Sequence, residues 1–152
     1  MKHITYIVLL IATIGCATRD PRLYGTWKSD RDVTMLYNQA NSMLTDSQID
    51  KYRQIFGRIT LEFRPDGTIH FEQNPYTMTV GTNSFPVKGI SATRPYTIIA
   101  KDKSSVVIRA PDILDEQKLS HIHFEGTETF WRYLGSEDML DNLHMREYFK
   151  KQ

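Results

Sequence analysis

Hydrophobic positions change their spacing along the chain, and each change marks an element. From Ile4 to Ile14 the chain is apolar at almost every position, after a short basic start at Met1-Lys2-His3. That run has no polar face, so it does not read as an amphipathic helix. It is also shorter than the roughly 20 apolar residues needed to cross a bilayer. A short tether at 17–22 contains Pro21, and Leu23-Tyr24-Gly25-Thr26-Trp27-Lys28 then reads as a first strand. Residues 32–44 are mixed and suit either a helix or a loop.

Helical spacing is clear over 45–56. Thr45-Asp46-Ser47-Gln48 matches a capping box, with Leu44 and Ile49 placed to form a hydrophobic staple. Ile49, Tyr52, Ile55 and Phe56 share one face, and Gly57 is a natural stop. From Ile59 onward the period is 2. Ile59, Leu61 and Phe63 alternate with polar residues, Pro65-Asp66-Gly67 turns the chain, and Ile69 and Phe71 continue the alternation. Tyr76–Val80 is a further strand, followed by a Gly/Asn/Ser/Pro loop at 81–87. Residues 88–101 and 105–110 read as strands, and Pro95 within the first implies an edge or a break. Residues 121–125 and 129–134 complete the sheet. Residues 137–150 read as a closing helix with Ser136 as N-cap and Met139, Leu140, Leu143, Met145 and Phe149 as apolar contacts. About eight short strands at hairpin spacing predict a mainly β fold, a small antiparallel up-and-down barrel. One helix is inserted after the first strand and another ends the chain.

Composition adds limits. Seven Phe, eight Tyr and two Trp suit a β-rich core. The chain has 19 basic and 18 acidic residues, and removing Lys2 balances them. A neutral domain is a poor match for nucleic acid, whose phosphates call for a basic surface. Beyond position 15 the length suits one domain. Cys16 is the single cysteine, so no intramolecular disulfide can staple the fold.

The apolar run has the length of a signal-peptide core, about 7–15 residues. Gly15 before the lone Cys16, directly after such a run, resembles the lipobox of bacterial lipoproteins. Thr13 stands where Leu is usual, three positions before the cysteine. The rival reading is an ordinary secretory signal, but no clean Ala-x-Ala site precedes Cys16. The lipobox resemblance implies a signal peptide at 1–15, a lipidated tether at 16–22 and a domain at 23–152. It also implies an anchor in a bacterial membrane facing the periplasm. Ala17 stands where an Asp would retain the protein in the inner membrane, which favours the outer membrane.

Leu23-x-Gly25-Thr26-Trp27 resembles the opening strand of lipocalin-like, or calycin, domains. The resemblance implies that Trp27 plugs one end of the barrel and that a basic residue on the last strand, Arg132, packs across its ring. More narrowly, the chain resembles a group of small, largely uncharacterised Gram-negative lipoproteins. The residues that carry this likeness are Gly25-Thr26-Trp27-Lys28-Ser29-Asp30-Arg31, the following helix, Phe124-Glu125-Gly126 and Phe130-Trp131-x-Tyr133. The chain departs from lipocalins in being short, in placing a helix after the first strand and in lacking a cysteine pair.

Few residues suggest chemistry. His121, His123 and Glu125 share one strand face and would suit Zn²⁺, with His70 and Glu72 as further ligands; the rival reading is a solvated polar face. No Gly-x-Ser-x-Gly elbow, P-loop or dinucleotide fingerprint occurs. Asp112/Asp115 and Glu137/Asp138 read as solvation or helix-dipole pairs. The expectation is a non-enzymatic protein with no cofactor or metal that binds a small apolar molecule or lipid. Tyr24, Trp27 and Arg132 are its candidate ligand contacts, though core packing is the simpler reading of Trp27. The alternative is a protein-interaction lipoprotein (an envelope assembly factor, inhibitor or immunity-type protein) acting through the Gly81–Lys88 loop and the 111–119 segment.

Overall fold

The strands join in one nine-stranded antiparallel sheet whose two edges meet in the same stretch of chain. In the computed structural model of the protein, residues 19–112, 116–134 and 144–152 are described. β1 (Gly25–Ser29) is followed by α1 (Arg31–Asn41) and α2 (Asp46–Ile55). Then come β2 (Ile59–Phe63), β3 (Thr68–Gln73), the hairpin β4 (Tyr76–Val80) and β5 (Asn83–Val87), and β6 (Ile90–Pro95). β7 (Thr97–Lys101), β8 (Ser105–Pro111), β9 (Gln117–Glu125), β10 (Thr129–Tyr133) and β11 (Arg146–Lys151) complete the chain. The order across the sheet is β6-β3-β2-β1-β11-β10-β9-β8-β7.

Every neighbouring pair is antiparallel, so β6 and β7 run in the same direction. Only Tyr96 separates them. Ile90–Lys101 is therefore one bent strand that pairs first with β3 and then with β8. The bend falls where Pro95 lacks the N–H a ladder needs. The Tyr96 N–H instead donates to the Gly67 carbonyl (2.9 Å), and its buried ring meets Phe63 edge-on. The result is a nearly closed barrel with two helices, consistent with the lipocalin-like resemblance.

Alternation places Trp27, Leu61, Phe63, Ile122, Phe130 and Phe149 inside. Each large apolar side chain so buried contributes roughly 1.5–3 kcal/mol. The helices cover the outside. At α2 the capping box is formed, with Gln48 N–H on Thr45 Oγ1 and Thr45 N–H on Gln48 Oε1. Ile49, Tyr52 and Phe56 pack with Met35 and Met145 in a second, smaller cluster. Gly57 has φ +80°, and a Cβ there would stand 2.9 Å from Arg31 Cβ. Gln54 fastens α2 to β4 by exchanging two hydrogen bonds with the Thr79 backbone.

The ambiguous segment at 32–44 is resolved as α1, so two helices rather than one follow the first strand. Asp30 caps α1 by accepting the Val33 N–H. Thr34 and Asn38, four residues apart and both fully buried, point the same way. Where β1 ends, their side chains take its place beside β11. Thr34 Oγ1 accepts the Tyr148 N–H (2.9 Å), while Asn38 accepts the Arg146 N–H and donates to the Arg146 carbonyl.

The expected C-terminal helix is corrected over its last turn and more. Residues 146–151 form β11, the central strand that joins β1 to β10. Its period of 2 was masked because the inward side carries Glu147 beside Phe149 and the outward side carries Tyr148 beneath α1. Ser136, Met139, Leu140 and Leu143 lie outside the described residues. The 81–87 loop is also corrected: its greater part is β5, paired with β4 in a hairpin separate from the barrel. Among the described residues no helix is long and apolar enough to cross a membrane.

Candidate functional site

The two ends of the barrel differ. One is plugged. The Trp27 ring lies against Phe130 and is fully buried, and its indole N–H donates to the Leu23 carbonyl (2.7 Å). The segment before β1 seals this end. Arg22 donates to the carbonyls of Asp102 and Lys103 and to the Asp20 carboxylate, and its guanidinium lies over Phe124. The Arg22 hydrogen bond holds the Asp20 carboxyl below its ordinary range. In the adjacent turn, the N–H groups of Ser104 and Ser105 bring the Asp102 carboxyl down to about 2.

Toward the other end, where β1 passes into α1, the interior is incompletely filled. A cavity of about 370 Å³ opens among the strand ends. Its apolar wall comes from Ile59, Leu61, Ile69, Phe71, Ile108 and Ile122. Its polar wall comes from Arg94, Asp112, Lys118, Ser120 and Arg132. Ala92 and Ala110 leave room where larger residues would fill it.

Behind Arg132 lies a buried polar chain. Arg132 on β10 stands directly opposite Glu147 on β11 and donates to its carboxylate (3.1 Å). Glu147 is completely buried and also accepts from Ser29 Oγ (2.7 Å). Ser29 Oγ in turn accepts the Gly57 N–H (3.0 Å). The guanidinium of Arg132 lies 5.3 Å from the ring centre of Phe149. A buried carboxylate is tolerated only when paired and hydrogen-bonded, and both conditions are met. The arrangement can hold and orient a polar group of a small guest.

No protein-family model matches the chain, and no curated protein or solved structure matches it significantly. Function must therefore be read from the site itself.

Of the three candidate ligand contacts, the structure places Arg132 on the cavity wall. Trp27 belongs to the plug and does not line the cavity. Tyr24 is half-buried at the plugged end, its N–H on the Pro21 carbonyl. The cation across Trp27 is Lys151, its ammonium 5.2 Å from the ring centre, not Arg132. The reason is topological: the strand beside β1 is β11, which pairs Trp27 with Lys151. His121, His123 and Glu125 share the outer face, with Ile122 buried between them. His123 there stacks on Trp131. No group of three His, Cys, Asp or Glu side chains that could hold a metal occurs among the described residues. Sequence reading missed Glu147, Ser29 and Arg94. A lone acid beside Tyr148 and Phe149 was the available signal for Glu147.

Proposed function

We propose that this protein is a lipid-anchored bacterial envelope protein that holds a small, largely apolar molecule in its barrel without transforming it. The observation that carries this reading is the cavity of about 370 Å³, walled mainly by aliphatic and aromatic side chains. Small-molecule sites have this character, a mostly apolar wall with a few placed polar groups. The lipobox at Cys16 supports the anchor, with the outer membrane favoured by Ala17. Arg19 is tied to the plugged end, its carbonyl accepting from Lys101. Two residues, Ala17 and Thr18, lie between Cys16 and Arg19, so the three steps reach about 10 Å. A lipid on Cys16 would thus keep the plugged end against the membrane and turn the cavity toward the periplasm.

Two measurements test this. The neutral apolar dye N-phenyl-1-naphthylamine is expected to bind and brighten, and Ala110→Trp, which fills the cavity, to abolish it. A dye signal unaffected by Ala110→Trp sinks the cavity reading. Cys16→Ser is expected to remove palmitate labelling and membrane association; unchanged labelling would defeat the anchor.

A second reading, a protein-interaction lipoprotein, draws on the hairpin. Phe85 is 53% exposed and Val80 51% exposed on a ribbon standing apart from the barrel. Under that reading Phe85→Asp abolishes capture of an envelope partner while dye binding persists.

A further inference from the structure

Resting on the reading that Cys16 carries a lipid, we propose that the outer face of β7, β8 and β9 is a second contact with the same membrane. The barrel leans onto that flank, and what covers the face is a glycerophospholipid surface. Three observations carry this.

The first is a face of the wrong polarity for water. An antiparallel sheet with one buried side usually turns polar residues to the other. The inward residues Ile98, Val106, Ile108 and Ile122 are buried as expected. Yet the outward side carries Ile99, 47% exposed, and Leu119, 51% exposed. The register joins them in one strip. Val107 stands across from Ala100 on one side and His121 on the other, and Arg109 stands between Thr97 and Leu119. Beyond His121 the strip reaches the half-exposed Tyr133 of β10. A bulge between Ile98 and Ala100 makes Ile99 the extra residue and turns it outward. Among the described residues neither helix lies across these strands, since α1 packs on β11 and α2 on α1 and β4.

The second is where the tether leaves. The Lys101 ammonium at the end of β7 donates to the Arg19 carbonyl (3.1 Å). In the next turn Arg22 donates to the carbonyls of Asp102 and Lys103. Ile99 lies two residues back along the same strand, about 7 Å from Lys101. Cys16 lies within about 10 Å of Arg19. The lipid surface is thus always within reach of the strip, a proximity that a free protein partner lacks.

The third is the placement of charge. Arg109 lies within the strip, and exposed Lys101 and Lys103 lie at its tethered end. The acid between those lysines, Asp102, is turned onto the N–H groups of Ser104 and Ser105. Glu125 lies beyond the strip, at the turn from β9 to β10. Apolar side chains with long basic ones among and beside them suit a membrane interface, where the charged heads reach lipid phosphates. The plugged end stays at the membrane. The lean brings the cavity, walled on this side by Ile108 and Ala110 of β8 and Ile122 of β9, down beside the headgroups.

Fluorescence quenching in vesicles tests the proposal. The lipidated protein is reconstituted in phosphatidylethanolamine/phosphatidylglycerol vesicles that contain a lipid with a nitroxide near the top of its acyl chain. Lipidation blocks the Cys16 thiol, so Leu119→Cys supplies a single site for an environment-sensitive thiol dye. Leu36→Cys on α1, also exposed and apolar, is the matched control. Quenching at position 119 is expected to exceed that at position 36 by at least about threefold. Ile99→Asp is expected to bring quenching at 119 down to the control level while the protein stays with the vesicles. Binding of N-phenyl-1-naphthylamine in detergent reports that each variant keeps its barrel. Equal quenching at the two positions, or none at either, in vesicle-bound protein overturns the inference and leaves the anchor standing. So does quenching at 119 that Ile99→Asp does not move. Unaltered protein that takes up the thiol dye, or that does not travel with the vesicles, overturns the anchor reading and this inference with it.

Discussion

The guanidinium of Arg146 lies 3.7 Å from the ring centre of Trp131 on the outer face of the barrel. From the β9 side, His123 stacks on the same indole at 4.0 Å with planes 11° apart. Arg146 also lies over Tyr37 of α1 at 4.4 Å, so one cation joins the sheet to the helix through two rings. Such contacts contribute roughly 0.5–2 kcal/mol each, more when desolvated. Arg146→Met keeps most of the packing volume and removes the charge. It is expected to lower stability by about 1–2 kcal/mol, measured by urea denaturation, with dye binding in the cavity unchanged.

His123 makes stability depend on pH. Burial, and then the neighbouring charges of His121 and Arg146, depress its pKa from the ordinary 6.5. Its Nε2 is buried without a hydrogen-bond partner among the described residues, so a proton placed there gains no acceptor. The unfolded chain therefore takes up a proton near pH 6.5 that the folded chain refuses. Stability from this group is complete above that value and falls as pH drops toward the folded pKa. His123→Phe retains a stacked ring and is expected to flatten the decline. The check is to compare denaturation midpoints of both proteins between pH 7.5 and pH 5, as about two endpoints bracketing the transition.

Asn38 substitutes for a strand. Its side-chain amide satisfies both the N–H and the carbonyl of Arg146 where β1 has ended. Asn38→Leu fits the volume but leaves two buried backbone groups unmet. A loss of about 2–4 kcal/mol is expected. Amide hydrogen exchange should accelerate first at Arg146 and Tyr148.

Trp27 is a structural plug. Trp27→Phe removes the hydrogen bond to Leu23 and leaves unfilled volume beneath Lys151. A loss of about 2–3 kcal/mol is expected. Binding of N-phenyl-1-naphthylamine should persist, because Trp27 does not line the cavity. Loss of dye binding in a folded Trp27→Phe protein would return Trp27 to the list of ligand contacts.

Much of the barrel was legible before its structure. The alternation at Ile59–Phe63 and Thr68–Gln73 and the breaks at Pro65-Asp66-Gly67 and Pro95 are local signals, and each appears as read. The capping box at Thr45 is likewise local, because all its partners lie within one turn. What failed did so where local pattern and global pairing disagree. Arg146-Glu147-Tyr148-Phe149 has an inward acid and an outward aromatic, so its hydrophobic spacing does not announce a strand.

The sequence by itself determined the β-barrel class, the well-capped helix α2 and Trp27 as a core position. Those follow from side-chain period and turn chemistry within a few residues. Only the tertiary structure decided that Lys151, not Arg132, stands across Trp27. Only it joined Ser29, Arg132 and Glu147 beside a cavity. Strand order and register set those juxtapositions, which bring together residues far apart in the chain, Ser29 and Glu147 being 118 positions apart. Whether an interior is filled depends on how facing side chains from many strands sum in volume, a property no local window contains.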